Sequence, residues 1–208
     1  MINKESNNKY LADALRATGR KGVEEVLRKL WNEHGFFNAP ASSAYHLNEP
    51  GGLVQHSINV YNMAMKLREV VLEGQPELAD HLPVESIAIT ALLHDVCKSD
   101  VYQMKDKFRK DANGRWETYQ GYEVDYSRFP MGHGEKSVIM LLQMGLELTE
   151  EEMMAIRWHM SAWDLAFQSS EEKSSLNAAR ERTPLLSLLQ AADGMAAGIV
   201  ELSFAPKK

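Results

Sequence analysis

The feature that most constrains this chain is the apolar stretch IAITALLHDVCK at residues 87–98. Nearly every position in its first half is apolar, which predicts a helix buried on all sides. Yet His94 and Asp95 stand next to each other near its end. A carboxylate in an apolar helix is costly unless a cation, a hydrogen-bonded histidine or a metal ion compensates its charge. Because consecutive helical positions point about 100° apart, we interpret the two side chains as donors to one metal site.

Length and composition indicate a globular domain. A chain of 208 residues buries a core without covalent cross-links, and 44% hydrophobic and 25% charged residues are ordinary values. One cysteine, Cys97, excludes an intramolecular disulfide. The first residues lack an apolar signal segment, and no stretch reaches 18 apolar residues in a row. We therefore expect a single domain over residues 1–208, a cytoplasmic location and no membrane partner.

The net charge of -6 argues against a partner that is a long nucleic acid, because dedicated nucleic-acid binders are normally basic. It is compatible with a small phosphorylated ligand. Local basic residues between 105 and 115, such as Lys107 and Arg109, are expected either to form a solvated face or to attract phosphate.

Helical periodicity recurs along most of the chain. It predicts helices at about residues 10–17, 22–33, 53–72, 133–144, 149–160, 171–181 and 184–202, with residues 1–8 frayed and residues 36–52 in a loop. Thr149 and Glu152 form a capping-box pattern. Residues 101–126 differ, since β-favouring residues flank an Asn-Gly turn and predict a hairpin. The expected fold class is all-α with a small β-hairpin insertion.

Ionisable residues occupy core-facing positions on several of these helices. A lone histidine in such a position is usually a structural residue, but the same anomaly at six positions is hard to explain in that way. Imidazoles and carboxylates together suit a divalent metal such as Fe, Mn, Co, Ni or Zn, with donors for one or two ions. The set is His56, His94, Asp95, His133, His159 and Asp193.

The motifs GGLVQHSINV, ALLHDVCK and AADGMAA follow the order of the HD-domain superfamily of metal-dependent phosphohydrolases. The resemblance covers about residues 39–200, and it implies an all-α HD bundle with a core at 39–202 and a helical extension at 1–38. It assigns one ion to His56, His94, Asp95 and Asp193.

Two further segments, MGHGEKS and IRWHM, look like the additional histidines of the dinuclear branch of that superfamily. In that branch His133 and His159 would hold a second ion, with Asp95 bridging both. Cys97 stands where the superfamily commonly has glycine, and we interpret it as a packing residue rather than a redox group or ligand. The Gly-Tyr-Pro signature of cyclic dinucleotide phosphodiesterases is missing, which argues against that substrate.

The resemblance implies hydrolysis of a small phosphomonoester or phosphodiester, nucleotides included, by a metal-activated hydroxide. Asp95 and Lys98 are the candidate catalytic residues, and Lys98 would contact phosphate unless it only complements a helix C-terminus. Tyr45 and His46 are candidate substrate contacts in the loop before the His56 helix. Two alternatives remain: a diiron oxygenase resembling inositol oxygenase, which uses the same ligand types, and a non-catalytic metal- or ligand-binding domain.

Overall fold

A computed structural model describes residues 2–125, 127–161 and 170–202, and it shows a helical bundle with one β-hairpin. The helices are α1 (Lys4–Ala17), α2 (Val23–Asn32), α3 (Gly52–Gly74), α4 (Val84–Leu93), α5 (His133–Gln143), α6 (Glu150–Trp158), α7 (Ser170–Arg182) and α8 (Pro184–Met195). The strands are β1 (Tyr102–Lys110) and β2 (Trp116–Val124). The predicted fold class is confirmed.

The N-terminal segment is more ordered than its polar sequence predicts. Helix α1 begins at Lys4, and the side chain of Asn3 caps it by accepting a hydrogen bond from the backbone N–H of Ser6. Leu11 and Leu15 are fully buried on its inner face. The prediction that residues 1–8 are frayed was therefore wrong, because a good N-cap and a packed apolar face stabilise a helix that starts in polar sequence.

Helix α4 is the buried element that the apolar stretch predicts. Every residue from Ser86 to Leu93 is buried. The helix ends at Leu93, so His94 is its C-terminal cap, and Asp95 leads into a short 3-10 turn at Val96–Asp100. The His-Asp pair thus lies just beyond the helix rather than within its last turns, and the change of backbone direction there presents both side chains to the interior.

The β-hairpin forms as predicted. Strands β1 and β2 pair antiparallel from Tyr102 opposite Val124 to Lys110 opposite Trp116. In the connecting turn, the Asp111 carboxylate accepts hydrogen bonds from two backbone N–H groups, and Gly114 adopts a φ of 75°. Most of the hairpin is exposed. It is a projecting element, anchored to the bundle by the residues that follow α4.

Two apolar clusters fill the bundle, and α3 and α4 contribute to both. The first cluster joins them to α1, α2 and α5. The second joins them to α6, α7 and α8. Helix α3 packs on α4 and α8, and α6 packs on α5 and α8. The polar side chains of the candidate site are therefore held by elements of both clusters.

The last helix starts where Pro184 predicts, with the Thr183 hydroxyl accepting a hydrogen bond from the backbone of Leu185. After Met195 it continues as a π-helical turn at Ala196–Val200. Among the described residues no single helix has the length and apolar character needed to span a membrane. The segments 171–182 and 184–200 meet those criteria only when counted together, across a bend of 103°.

Candidate metal centre

Six ionisable side chains from five parts of the bundle form one cluster, with Asp95 at its centre. Histidines come from the second turn of α3, the end of α4, the first residue of α5 and the end of α6, and a second aspartate comes from α8. The members are His56, His94, Asp95, His133, His159 and Asp193. This is the set that the sequence predicts to converge.

The two carboxylate oxygens of Asp95 face different pairs of histidines. Oδ2 lies 3.5 Å from Nε2 of His56 and 3.3 Å from Nε2 of His94. Oδ1 lies 2.5 Å from Nε2 of His133 and 3.5 Å from Nε2 of His159. Asp193 joins the first pair, with Oδ1 placed 3.3 Å from His56 Nε2 and 4.0 Å from His94 Nε2. One carboxylate therefore stands between two groups of donors.

Two of the histidines are oriented by the same local arrangement. His94 caps α4 and donates its Nδ1–H to the carbonyl of Ala91 at 2.9 Å. His159 caps α6 and donates its Nδ1–H to the carbonyl of Ile156 at 2.7 Å. Carbonyls in the last turn of a helix lack partners within the helix, so the imidazoles satisfy them. The remaining nitrogen of each ring, Nε2, points towards Asp95.

Buried imidazole nitrogens that lack a hydrogen-bond partner among the described residues indicate that the cluster can hold a metal ion. The Nε2 atoms of His56, His94 and His159 are buried and have no hydrogen-bond partner in residues 2–125, 127–161 and 170–202, which is costly unless another ligand compensates them. Donor atoms about 2.1 Å from a shared ion lie roughly 3.0 to 3.4 Å apart, close to the spacings around Asp95 Oδ2. Helices α4 and α6 also direct their partly negative C-terminal ends here, which favours a cation.

Neighbouring ionisable groups and burial shift the pKa values of several residues in the cluster. Burial opposes ionisation of Asp95, but Lys98 and the neighbouring histidines hold the pKa of this carboxyl well below its ordinary value. Burial favours the neutral form of His56, yet the neighbouring carboxylates of Asp193, Asp95 and Glu201 raise its pKa well above 6.5. Burial lowers the pKa of His159. The cluster thus combines anionic carboxylates with imidazoles, and a divalent ion would displace the proton that His56 otherwise holds.

Lys98 and Cys97 both contact the cluster. The Lys98 ammonium lies 2.5 Å from Asp95 Oδ2 and pairs with this carboxylate. Burial lowers the pKa of Lys98, but Asp95 more than offsets this effect, so the side chain stays charged. Cys97 packs in the first apolar cluster, as expected, and its Sγ also lies 3.4 Å from Nδ1 of His133. The thiol is therefore a neighbour of a candidate ligand as well as a packing residue.

The loop before α3 brings one of its two candidate residues to the site. The ring of His46 lies 5.3 Å from that of His56, and its buried Nε2 has no hydrogen-bond partner among the residues that the structure describes. The side chain of Tyr45 is 82% exposed. A cleft of about 420 Å³ separates this loop from the hairpin, and Lys107 and Arg109 are among the residues that line it. His46 is the closer of the two candidates to the metal cluster.

Sequence reasoning missed Glu201 and Asn59. The Glu201 carboxylate lies 2.9 Å from Nδ1 of His56 and accepts a hydrogen bond from the side chain of Asn59 at 3.0 Å. The available signal was an isolated acidic residue in the otherwise apolar segment AAGIVEL. It was overlooked because Glu201 falls beside the apolar stripe of the last helix, and because 145 residues separate it from His56.

Comparison with known proteins gives one finding. Neither a curated protein nor a solved structure matches the chain. The family model described as HD domain matches residues 53–198, a range that includes all six clustered residues and most of the bundle. HD domains bind divalent metals and form a family of the metal-dependent phosphohydrolase type. The match covers more than half of the sequence and includes the residues of the site. The chain therefore belongs to the HD domain family.

Proposed function

We propose that this protein is a metal-dependent hydrolase of small phosphomonoesters or phosphodiesters, nucleotides included. The observation that carries the proposal is the position of Asp95, whose two oxygens each face a pair of imidazoles, all of them buried except the partly exposed ring of His133. That arrangement suits a carboxylate shared by two ions. The family match supports the same class of chemistry.

In the proposed centre His56, His94 and Asp193 hold one ion, His133 and His159 hold a second, and Asp95 belongs to both. Bound divalent ions supply a hydroxide nucleophile near neutral pH and polarise phosphoryl oxygens. The backbone acceptors of His94 and His159 fix the orientation of their rings before any ion binds. The protein therefore presents preorganised donors, which lowers the cost of assembling the centre.

Two residues outside the ligand set are proposed to act on substrate. The Lys98 ammonium is 15% exposed beside Asp95 and supplies a positive charge for a phosphoryl group at the centre. His46, whose buried Nε2 has no hydrogen-bond partner within the described part of the chain, is a second polar contact. The cleft between the hairpin and the loop of Tyr45 has a size suited to a small molecule.

Metal analysis combined with substrate assays tests this function. We expect protein purified without added ions to carry up to two divalent ions per chain and to release phosphate from members of a panel of phosphomonoesters, phosphodiesters and nucleotides. Asp95→Ala should lose both ions and turnover together. His133→Ala should keep one ion. His81→Ala, which replaces an exposed histidine outside the cluster, is the matched control and should behave like the unchanged protein.

Two results would overturn the proposal. One is turnover by Asp95→Ala equal to that of the unchanged protein. The other is a centre with two irons that consumes dioxygen on a hydroxylated substrate and releases no phosphate from any member of the panel. That second outcome would assign the chain to oxygenase chemistry, which uses the same types of ligand.

A further inference from the structure

His56 differs from His94 and His159 in the group that its Nδ1 contacts. In all three rings Nε2 is buried and has no hydrogen-bond partner among the described residues. His94 and His159 donate Nδ1–H to neutral backbone carbonyls of their own helices. His56 instead has Nδ1 placed 2.9 Å and 3.2 Å from the two oxygens of Glu201. Its acceptor is therefore an anionic side chain that comes from the far end of the chain.

Glu201 is itself held in place. Its side chain is 1% exposed, and Asn59, one turn along α3 from His56, donates a hydrogen bond to Oε1 at 3.0 Å. His46 Nε2 lies 3.7 Å from Oε2. A buried carboxylate is costly without such partners. Glu201 follows the 53–198 range that matches the family model, so the match does not include it.

The charge of the acceptor affects how strongly an imidazole binds a metal. A carboxylate that accepts Nδ1–H makes Nε2 a stronger donor and fixes the ring, whereas a neutral carbonyl does so less. Among the described residues, the carboxylates of Asp193 and Asp95 face the His56 side of the cluster, whereas Asp95 is the carboxylate that faces His133 and His159. The Cys97 thiol also lies beside His133, with Sγ placed 3.4 Å from Nδ1. The two sides are thus electrostatically unequal.

We propose that Glu201 is a positioning residue that acts through His56 and makes the His56–His94–Asp193 side of the centre bind its metal ion first and more tightly. This inference rests on the metal centre of the proposed function, but not on the reaction that the centre performs. It predicts that a divalent metal titrates into the metal-free protein in two resolved steps. Removing the Glu201 charge affects the first step and leaves the second almost unchanged.

Titration of the metal-free full chain with Co²⁺ tests the proposal, with the visible absorption of the bound ion and competition against a chelator as readouts. Glu201→Gln retains the size of the side chain and removes its charge. We expect the dissociation constant of the first ion to rise by about 10- to 100-fold, with an altered absorption spectrum. Glu73→Gln, the same change at an exposed position of α3, should bind both ions as the unchanged protein does.

Glu201→Ala separates the effect of charge from that of packing. If charge is decisive, Glu201→Gln and Glu201→Ala weaken the first ion to a similar extent, and circular dichroism shows the same helix content in both. Unchanged affinity and spectrum for the first ion in Glu201→Gln would overturn the inference. A protein that binds Co²⁺ as described but hydrolyses no phosphate ester would refute the proposed function and leave this inference standing.

Discussion

Replacing Arg20 with alanine should destabilise the protein far more than the same change at a surface arginine. The Arg20 guanidinium donates to both oxygens of Glu152, at 2.5 Å to Oε2 and 2.7 Å to Oε1. The Glu152 side chain is 0% exposed. Its remaining donors are the Ser86 hydroxyl at 2.7 Å and the Thr149 backbone N–H at 2.9 Å. Without Arg20 the carboxylate would keep only these two neutral donors from the described residues.

The size of the effect follows from that burial. Breaking a buried ion pair by removing one partner costs about 3–5 kcal/mol. For a chain of this length each kcal/mol lowers the melting temperature by about 2–4 °C, so Arg20→Ala should melt roughly 6–20 °C lower. Arg28 offers a matched control, because it forms the same two-bond pair with Glu25, but about half of each side chain is exposed. Arg28→Ala should leave the melting temperature almost unchanged, because solvent screens an exposed ion pair.

Urea denaturation followed by far-ultraviolet circular dichroism measures both variants. The double change Arg20→Met with Glu152→Met, which removes both charges and keeps much of the volume, should recover most of the loss. A loss in Arg20→Ala no larger than that in Arg28→Ala would refute the reasoning, because it would mean that the buried carboxylate does not depend on Arg20.

Three further predictions concern the metal centre and its supports. Removing metal with a chelator should lower the melting temperature, and restoring a divalent ion at about 100 times its dissociation constant should return about 2.7 kcal/mol, roughly 5–11 °C, in differential scanning calorimetry. Although burial favours the neutral ring, the interactions of His133 with Cys97 and Asp95 raise its pKa to about 10 in the metal-free protein. Its charged form therefore adds stability that is fully present below pH 6.5 and is lost as the pH rises through 10. Metal binding near pH 8 should release a proton, which calorimetry in buffers of different ionisation enthalpy detects. Gly134→Ala places a Cβ 2.1 Å from the carbonyl oxygen of Arg157. This clash should push α5 away from α6, lower the free energy of unfolding by at least about 1–3 kcal/mol and weaken binding of the second ion. Gly74→Ala, with open space around it, should have neither effect in the same calorimetric and metal-binding assays.

The sequence predicted the helical fold and the hairpin because both depend on local patterns. Apolar residues at helical spacing mark α3 and α8, and the Asn-Gly turn marks the hairpin. The capping box at Thr149 and Glu152 is confirmed in the structure. The start of α1 was mispredicted because its stability comes from tertiary packing of Leu11 and Leu15, which the polar sequence before them does not reveal.

The clustered residues were found for a similar reason. A histidine or aspartate on an apolar stripe stands out within its own helix, and His56 and Asp193 were recognised in that way. Glu201 and Arg20 were not recognised, because the role of each depends on contact with a residue more than a hundred positions away. A pattern of spacing within one helix carries no information about such contacts.

Helices α1 and α2 precede the 53–198 range that matches the family model, yet their apolar faces are part of the hydrophobic core. Leu11, Leu30 and Phe36 are fully buried in the same cluster as Leu53 and Leu92. A fragment trimmed to the family boundary would expose the apolar faces of α3 and α4 to water, and we expect it to aggregate. We therefore expect the smallest portion that folds independently to be larger than the portion by which the family is recognised.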